Sequence, residues 1–168
     1  MQALSLNNAQ HGVSLIEVLI ALLVLAVGVL GFAGLQMTAL NQSTAANHRA
    51  AAVLIAQDAI ERIELNPGQR DAYLSATWPA GSVGGAPSNT CVGSACAPTG
   101  IVTWDIAQLT WQAANQLPAG RIEASDCGFS SLTCIVVSWD GQQPGDCIAD
   151  GGVNTDIDSN CLVLEVAR

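Results

Sequence analysis

Glu17 is the residue whose position calls for chemistry. It closes the run Gly12-Val13-Ser14-Leu15-Ile16-Glu17, and eighteen uncharged residues, Val18 to Leu35, follow it. A carboxylate near the centre of a bilayer costs about 2.5–3.5 kcal/mol, and less near an interface. At the start of a membrane-length apolar run it therefore needs a cationic partner or a polar surface within reach. Two readings compete: the side chain snorkels to the headgroups, or it meets a positive charge on a neighbouring chain. Twelve residues precede Val13, the last of them the small Gly12.

The second set of reactive residues is the six cysteines, Cys91, Cys96, Cys127, Cys134, Cys147 and Cys161, all in the C-terminal half. An even number confined to the region beyond the apolar run indicates disulfides made in an oxidising compartment such as a bacterial periplasm. A zinc site does not fit, because no Cys-x-x-Cys occurs and His11 and His48 are distant in sequence. Six cysteines allow fifteen pairings, among which sequence alone does not choose. The candidate set is sequential, Cys91–Cys96, Cys127–Cys134 and Cys147–Cys161, since each bond would close a local loop or hairpin.

One further constellation deserves weighing. Asn154, Asp156, Asp158 and Asn160 alternate, and Glu165 lies eleven residues after Asn154, a calcium-loop spacing. The sixth position, where a sharp turn wants Gly, is Ser159, and Glu165 sits in a strand-like run. The stretch reads as a solvated acidic loop, with those four residues as weak calcium candidates and no metal expected.

Enzymatic chemistry finds little support. No Lys is present, which removes Schiff-base chemistry and the Gly-Lys-Ser/Thr phosphate loop. Neither histidine is arranged with a Ser or Cys nucleophile. No enzyme activity, cofactor or small-molecule substrate is expected. The net charge is −9, and five arginines (Arg49, Arg62, Arg70, Arg121, Arg168) cannot build a basic patch, so direct nucleic-acid binding is not expected. The four tryptophans, Trp78, Trp104, Trp111 and Trp139, read as core or edge-packing residues.

The elements that must position these groups begin with a long helix. Residues 15–35 are apolar all round and long enough to span a bilayer, with Gly28, Gly31 and Gly34 as close-packing or locally weak points. Beyond them, Ala52, Val53, Ala56, Ala59, Ile60 and Ile63 follow one helical face. Asp58, Glu61 and Arg62 take the other side, with Asp58 and Arg62 spaced to pair. Asn66-Pro67-Gly68 should end the helix, giving a rod over 13–66 of roughly 80 Å at 1.5 Å per residue. Ala80 to Gly100 reads as a loop, Trp104 to Gln116 as a helix with Ile106, Leu109 and Ala113 on one face, and Leu117-Pro118-Ala119-Gly120 as its stop. Strands are expected at Arg121–Ser125, Leu132–Trp139 and Cys161–Val166, with an acidic loop from Asp140 to Asn160. The stripe on the second half of the rod needs a sheet to cover it. The fold class is therefore α+β: a long N-terminal helix packed on a small antiparallel sheet stapled by disulfides.

Gly12-Val13-Ser14-Leu15-Ile16-Glu17-Val18 resembles the prepilin processing site of type IV pilins and type II secretion pseudopilins. Those families most often place Phe where this chain has Val13, and a basic residue where it has His11. Further stretches resemble the PilV-type minor pilins, called type IV pilus modification proteins. They are Leu15 to Leu35, Ala56-Gln57-Asp58-Ala59-Ile60-Glu61-Arg62-Ile63-Glu64-Leu65-Asn66-Pro67, the Trp-containing helix with its Leu117-Pro118-Ala119-Gly120 stop, and Val137-Ser138-Trp139-Asp140.

The resemblance implies a type IV pilin-like fold, a leader over 1–12 cut by a prepilin peptidase between Gly12 and Val13, and N-methylation of Val13. Glu17 would face the free amine of a neighbouring subunit during assembly, fixing register even where the net energy is small. It also implies an inner-membrane protein with a globular domain, 67–168, in the periplasm. Other minor pilins and the major pilin would be its partners in priming a pilus and joining it, with a place near the tip. Two alternatives remain: a minor pseudopilin of a type II secretion system, and a membrane-tethered periplasmic binding protein.

Overall fold

A computed structural model of the chain describes residues 12–88, 91, 95–149, 151–156 and 159–167. The fold is α+β, a long N-terminal helix with a three-stranded antiparallel sheet and disulfides. Helix α1 spans Leu15–Leu65, and it contributes to two compact units, one up to Thr44 and one from Ala45 onward.

In the first unit every residue from Gly12 to Thr44 is exposed. The sequence dictates this: apolar side chains all round the helix leave no single stripe to bury, and among the described residues no other element of this unit covers them. An eighteen-residue window of α1 has a mean hydropathy of 2.8 with none of it buried, so this helix is long and apolar enough to cross a membrane.

In the second unit the rest of α1 packs on the other elements through Ala52, Ile55, Ala56, Ala59 and Ile63. This corrects the expected stripe by part of a turn: Val53 and Ile60 are only half-buried, and Ile55 takes the central place. The observed spacing i, i+3, i+4, i+7, i+11 keeps small alanines beneath the sheet and lets two isoleucines fill the gaps. The helix ends before Pro67, after which Pro67–Gln69 form one 3₁₀ turn and Arg70–Ser75 a short helix, α2, that the sequence did not reveal.

Helix α3 runs Pro98–Gln116, beginning six residues ahead of the expected Trp104. Pro98 sits at the first helical position, where its missing N–H is no loss, so it starts the helix instead of belonging to the loop. The preceding segment lies against α3 because Gly81 has no side chain: a Cβ there would fall 1.9 Å from the Thr110 carbonyl oxygen.

Strands β1 (Arg121–Asp126), β2 (Thr133–Ser138) and β5 (Cys161–Val166) form one sheet in the order β1-β2-β5, with Ile135 paired to Ala124 on one side and Leu164 on the other. The expected acidic loop is more structured than the sequence suggested. It contains a 3₁₀ turn at Pro144–Cys147 and a small hairpin of β3 (Ile148–Ala149) and β4 (Gly152–Val153).

Every residue of β2 is buried. Ile135 and Val137 join the core shared with α1, α2 and α3, whereas Cys134 and Val136 face a second core with Cys127, Cys147, Phe129 and Ile148. The side chains of a strand alternate between faces, so this middle strand separates two apolar layers. Cys127–Cys134 and Cys147–Cys161 both lie in the second layer, and Cys91–Cys96 closes the segment before α3.

Candidate functional site

The N-terminal motif is built from a change of backbone state. Gly12, Val13 and Ser14 are non-helical and exposed, and α1 begins at Leu15. The Ser14 carbonyl accepts from the N–H groups of Glu17 (3.0 Å) and Val18 (3.3 Å), which turns the chain into the helix. Glu17 lies in the first turn, where the unpaired amides and the helix dipole favour a negative charge. No heavy atom would lie within 4 Å of a Cβ built on Gly12, so the backbone around the Gly12–Val13 bond is open on that side. The Gly12–Val13 bond thus lies in exposed, non-helical chain ahead of an apolar helix. The remainder of the expected leader, residues 1–11, lies outside the described residues.

A second constellation holds the last turns of α1 in place. Arg62 bonds Asp58 through Nε (2.8 Å) and Nη2 (3.2 Å), while its Nη1 donates to Asp105 Oδ1 on α3 (2.8 Å). Asp105, almost fully buried, also accepts from Tyr73 Oη at 2.5 Å. The guanidinium stands 5.3 Å from the Trp104 ring centroid. Asn66 Nδ2 adds a bond to the Pro98 carbonyl (3.0 Å). Burial disfavours the charge on Arg62, but hydrogen bonds and attraction from Asp58 and Asp105 outweigh it and raise its pKa. Burial likewise raises the Tyr73 pKa, reinforced by its bond to Asp105. A groove lined by Glu61, Leu65 and Ile101 opens beside this cluster. Its charges are committed to one another, so the arrangement is a structural lock between α1, α2 and α3.

The sequence exposed the Asp58–Arg62 pair through its four-residue spacing but placed Arg62 on the solvent side. It gave no sign of Asp105 or Tyr73, because a contact across 43 residues leaves no local pattern. An aspartate on the otherwise apolar face of α3, in line with Ile106 and Leu109, was the available clue.

The remaining candidates fall as follows. The three disulfides join Cys91 to Cys96, Cys127 to Cys134 and Cys147 to Cys161. Of the calcium candidates, Asp158 lies outside the described residues. Asn154 uses its side chain within its own loop, donating to the Asp146 carbonyl (3.2 Å) and accepting from the Asp156 N–H (2.9 Å). The Asn160 N–H donates to Gln142 Oε1 (2.8 Å), and Glu165 accepts from the Ser130 hydroxyl (3.4 Å). Among the described residues no three metal-binding side chains converge. Trp139 is buried, and Trp111 donates to the Gly84 carbonyl (2.7 Å), pinning the segment ahead of α3.

Two family models match the chain. Residues 7–33 match the prokaryotic N-terminal methylation motif, and residues 34–107 match the Tt1218-like model of a type IV pilin. No curated protein and no solved structure matches it.

Proposed function

Because this chain belongs to the type IV pilin family, whose members are structural subunits and not enzymes, we propose that it is a minor pilin that helps to prime a pilus and is then incorporated near its tip. Within the family we assign it to the PilV type on the stretches quoted above; the two matches reach the family and stop short of this subgroup. Cleavage after Gly12 leaves Val13 with a free amine that is then methylated. Residues 15–35 hold the chain in the inner membrane, with the residues from 67 onward in the periplasm.

The observation that carries this reading is the step at Leu15: an exposed, non-helical Gly12-Val13-Ser14, then Glu17 in the first turn of a helix whose apolar surface is exposed as far as Thr44. The new amine adds positive charge to a helix end that is already electropositive. Glu17 of an adjacent subunit offsets it, and in an apolar surrounding such a pair fixes axial register. Neighbouring helices then replace lipid around Leu19, Leu23, Leu30 and Phe32.

Intact mass and N-terminal analysis of the chain from its native membrane tests this, with a start at methylated Val13 expected. A chain that keeps its first twelve residues while working normally defeats it. Glu17→Ala should still be cleaved yet enter the filament poorly. Deletion of the chain should cost surface pili and twitching; loss of exoprotein secretion instead would identify a pseudopilin.

A further inference from the structure

Among the described residues the sheet ends at β5, an edge with no Pro, Lys or bulge and one charge, Glu165. Natural edges are blunted by Pro, Lys, bulges or a covering element. Strand β5 reads Cys-Leu-Val-Leu-Glu-Val, pairs with β2 through six consecutive residues without a bulge, and carries Glu165 as its sole charge. Helices α2 and α3 pack against β1, and the Pro144–Cys147 turn packs against β5 on the side of the second core.

The register fixes which groups point outward. The Trp139 N–H donates to the Asn160 carbonyl (3.0 Å), and these residues extend the β2–β5 ladder by one pair. Hydrogen-bonded and non-bonded pairs alternate in an antiparallel ladder. Leu162, Leu164 and Val166 therefore bond to β2, and the N–H and C=O groups of Cys161, Val163 and Glu165 face away from it. No protein partner for these outward backbone groups occurs among the described residues. Their spacing of two residues is that of an incoming strand.

We infer that the free edge of β5 is a strand-addition site, at which an extended segment of a different pilus subunit extends the sheet through the backbone of Cys161, Val163 and Glu165. Charge chooses against a second copy of this chain, which carries a net −9 with no Lys and would set Glu165 near its own kind. The fitting partner is a neutral or basic strand that supplies alternate backbone donors and acceptors. The inference rests on the filament reading above.

Backbone amide exchange provides a test that needs no variant. The full chain is measured in detergent micelles and in pili sheared from cells. The Val163 and Glu165 amides should exchange freely in micelles and about a hundredfold more slowly in pili, while Leu162 and Leu164 stay protected in both. Equal rates for Val163 and Glu165 in the two states overturn the inference.

A second arm uses Val163→Pro, which removes an outward N–H and leaves the bonds to β2 in place. With its three disulfides formed, this variant should enter pili about tenfold less than the parent, while Val163→Ala, which keeps the N–H, enters normally. Equal entry of Val163→Pro and the parent overturns the inference. A micellar dimer abolished by Val163→Pro would overturn the choice of a different subunit. Failure of the parent itself to enter pili defeats the filament reading first, so the two failures are distinguishable.

Discussion

Asp105→Ala is the substitution that most directly tests how the last turns of α1 are held. Two donors converge on this carboxylate, Arg62 Nη1 at 2.8 Å and Tyr73 Oη at 2.5 Å, and Asp105 is 4% exposed. Removing it strands a buried hydroxyl, which costs about 1–3 kcal/mol, and breaks a charged hydrogen bond worth about 1.5–3 kcal/mol. Arg62 keeps Asp58 and is not fully buried, so the total should be about 3–4 kcal/mol. Tyr73→Phe removes one of the two bonds and leaves Asp105 with Arg62, for about 1 kcal/mol. Both substitutions delete the same Tyr73–Asp105 contact, so the double variant should cost about 1 kcal/mol less than the sum. Urea unfolding of the full chain in micelles measures this, followed by tryptophan fluorescence. All four tryptophans, Trp78, Trp104, Trp111 and Trp139, lie in the unit that begins at Ala45. A loss below about 0.5 kcal/mol for Asp105→Ala, or strict additivity with Tyr73→Phe, would refute the lock.

Tyr73 is the chain's one tyrosine, so tyrosinate absorbance reports it alone. Its pKa is raised in the fold, by burial first and by Asp105 second. Its contribution to stability is therefore complete below the ordinary tyrosine value of about 10 and is lost as pH rises from there through the folded value. The expected titration is displaced upward in the native chain and returns to about 10 in urea; an undisplaced native titration contradicts the burial argument. Replacing Cys147 and Cys161 together by Ala removes a bond across fourteen residues. That should lower stability by about 3 kcal/mol and open residues 139–160 to limited proteolysis before the rest of the unit. Gly81→Ala drives a methyl group into the Thr110 carbonyl, so the segment must lift from α3. A loss of about 1–3 kcal/mol is expected by thermal unfolding, together with faster exchange of the Gly84 amide that Asn115 now holds.

What could be read from the chain divides by range. The end of α1 was legible because its stop is written locally, in Asn66-Pro67-Gly68, and the helix runs through Gly28, Gly31 and Gly34 without a break. Strand β5 was placed correctly at both ends, and β2 to within one residue at each, since Ile135-Val136-Val137 has no comfortable alternative to a strand. The start of α3 was missed because Pro98, Thr99 and Gly100 each disfavour a helix interior, while position within the first turn reverses the meaning of proline. The phase of the α1 stripe was slightly wrong because Val53, Ile55 and Ile60 are equally apolar, and only the sheet decides which face is covered. The Arg62–Asp105–Tyr73 lock was hidden for a similar reason. Its members come from three helices, and each residue alone is an ordinary surface type.

The burial of β2 on both sides has a consequence for how such a chain can vary. The sheet is a partition with separate apolar compartments behind and in front, each with its own fillings, and two of the three cross-links belong to the front one. Sequence between Trp139 and Asn160 can therefore drift, lengthen or acquire new recognition features while the helix-facing compartment keeps its shape. The requirement is that Cys147 still finds Cys161. Diversity is thereby confined to the side turned away from the helix.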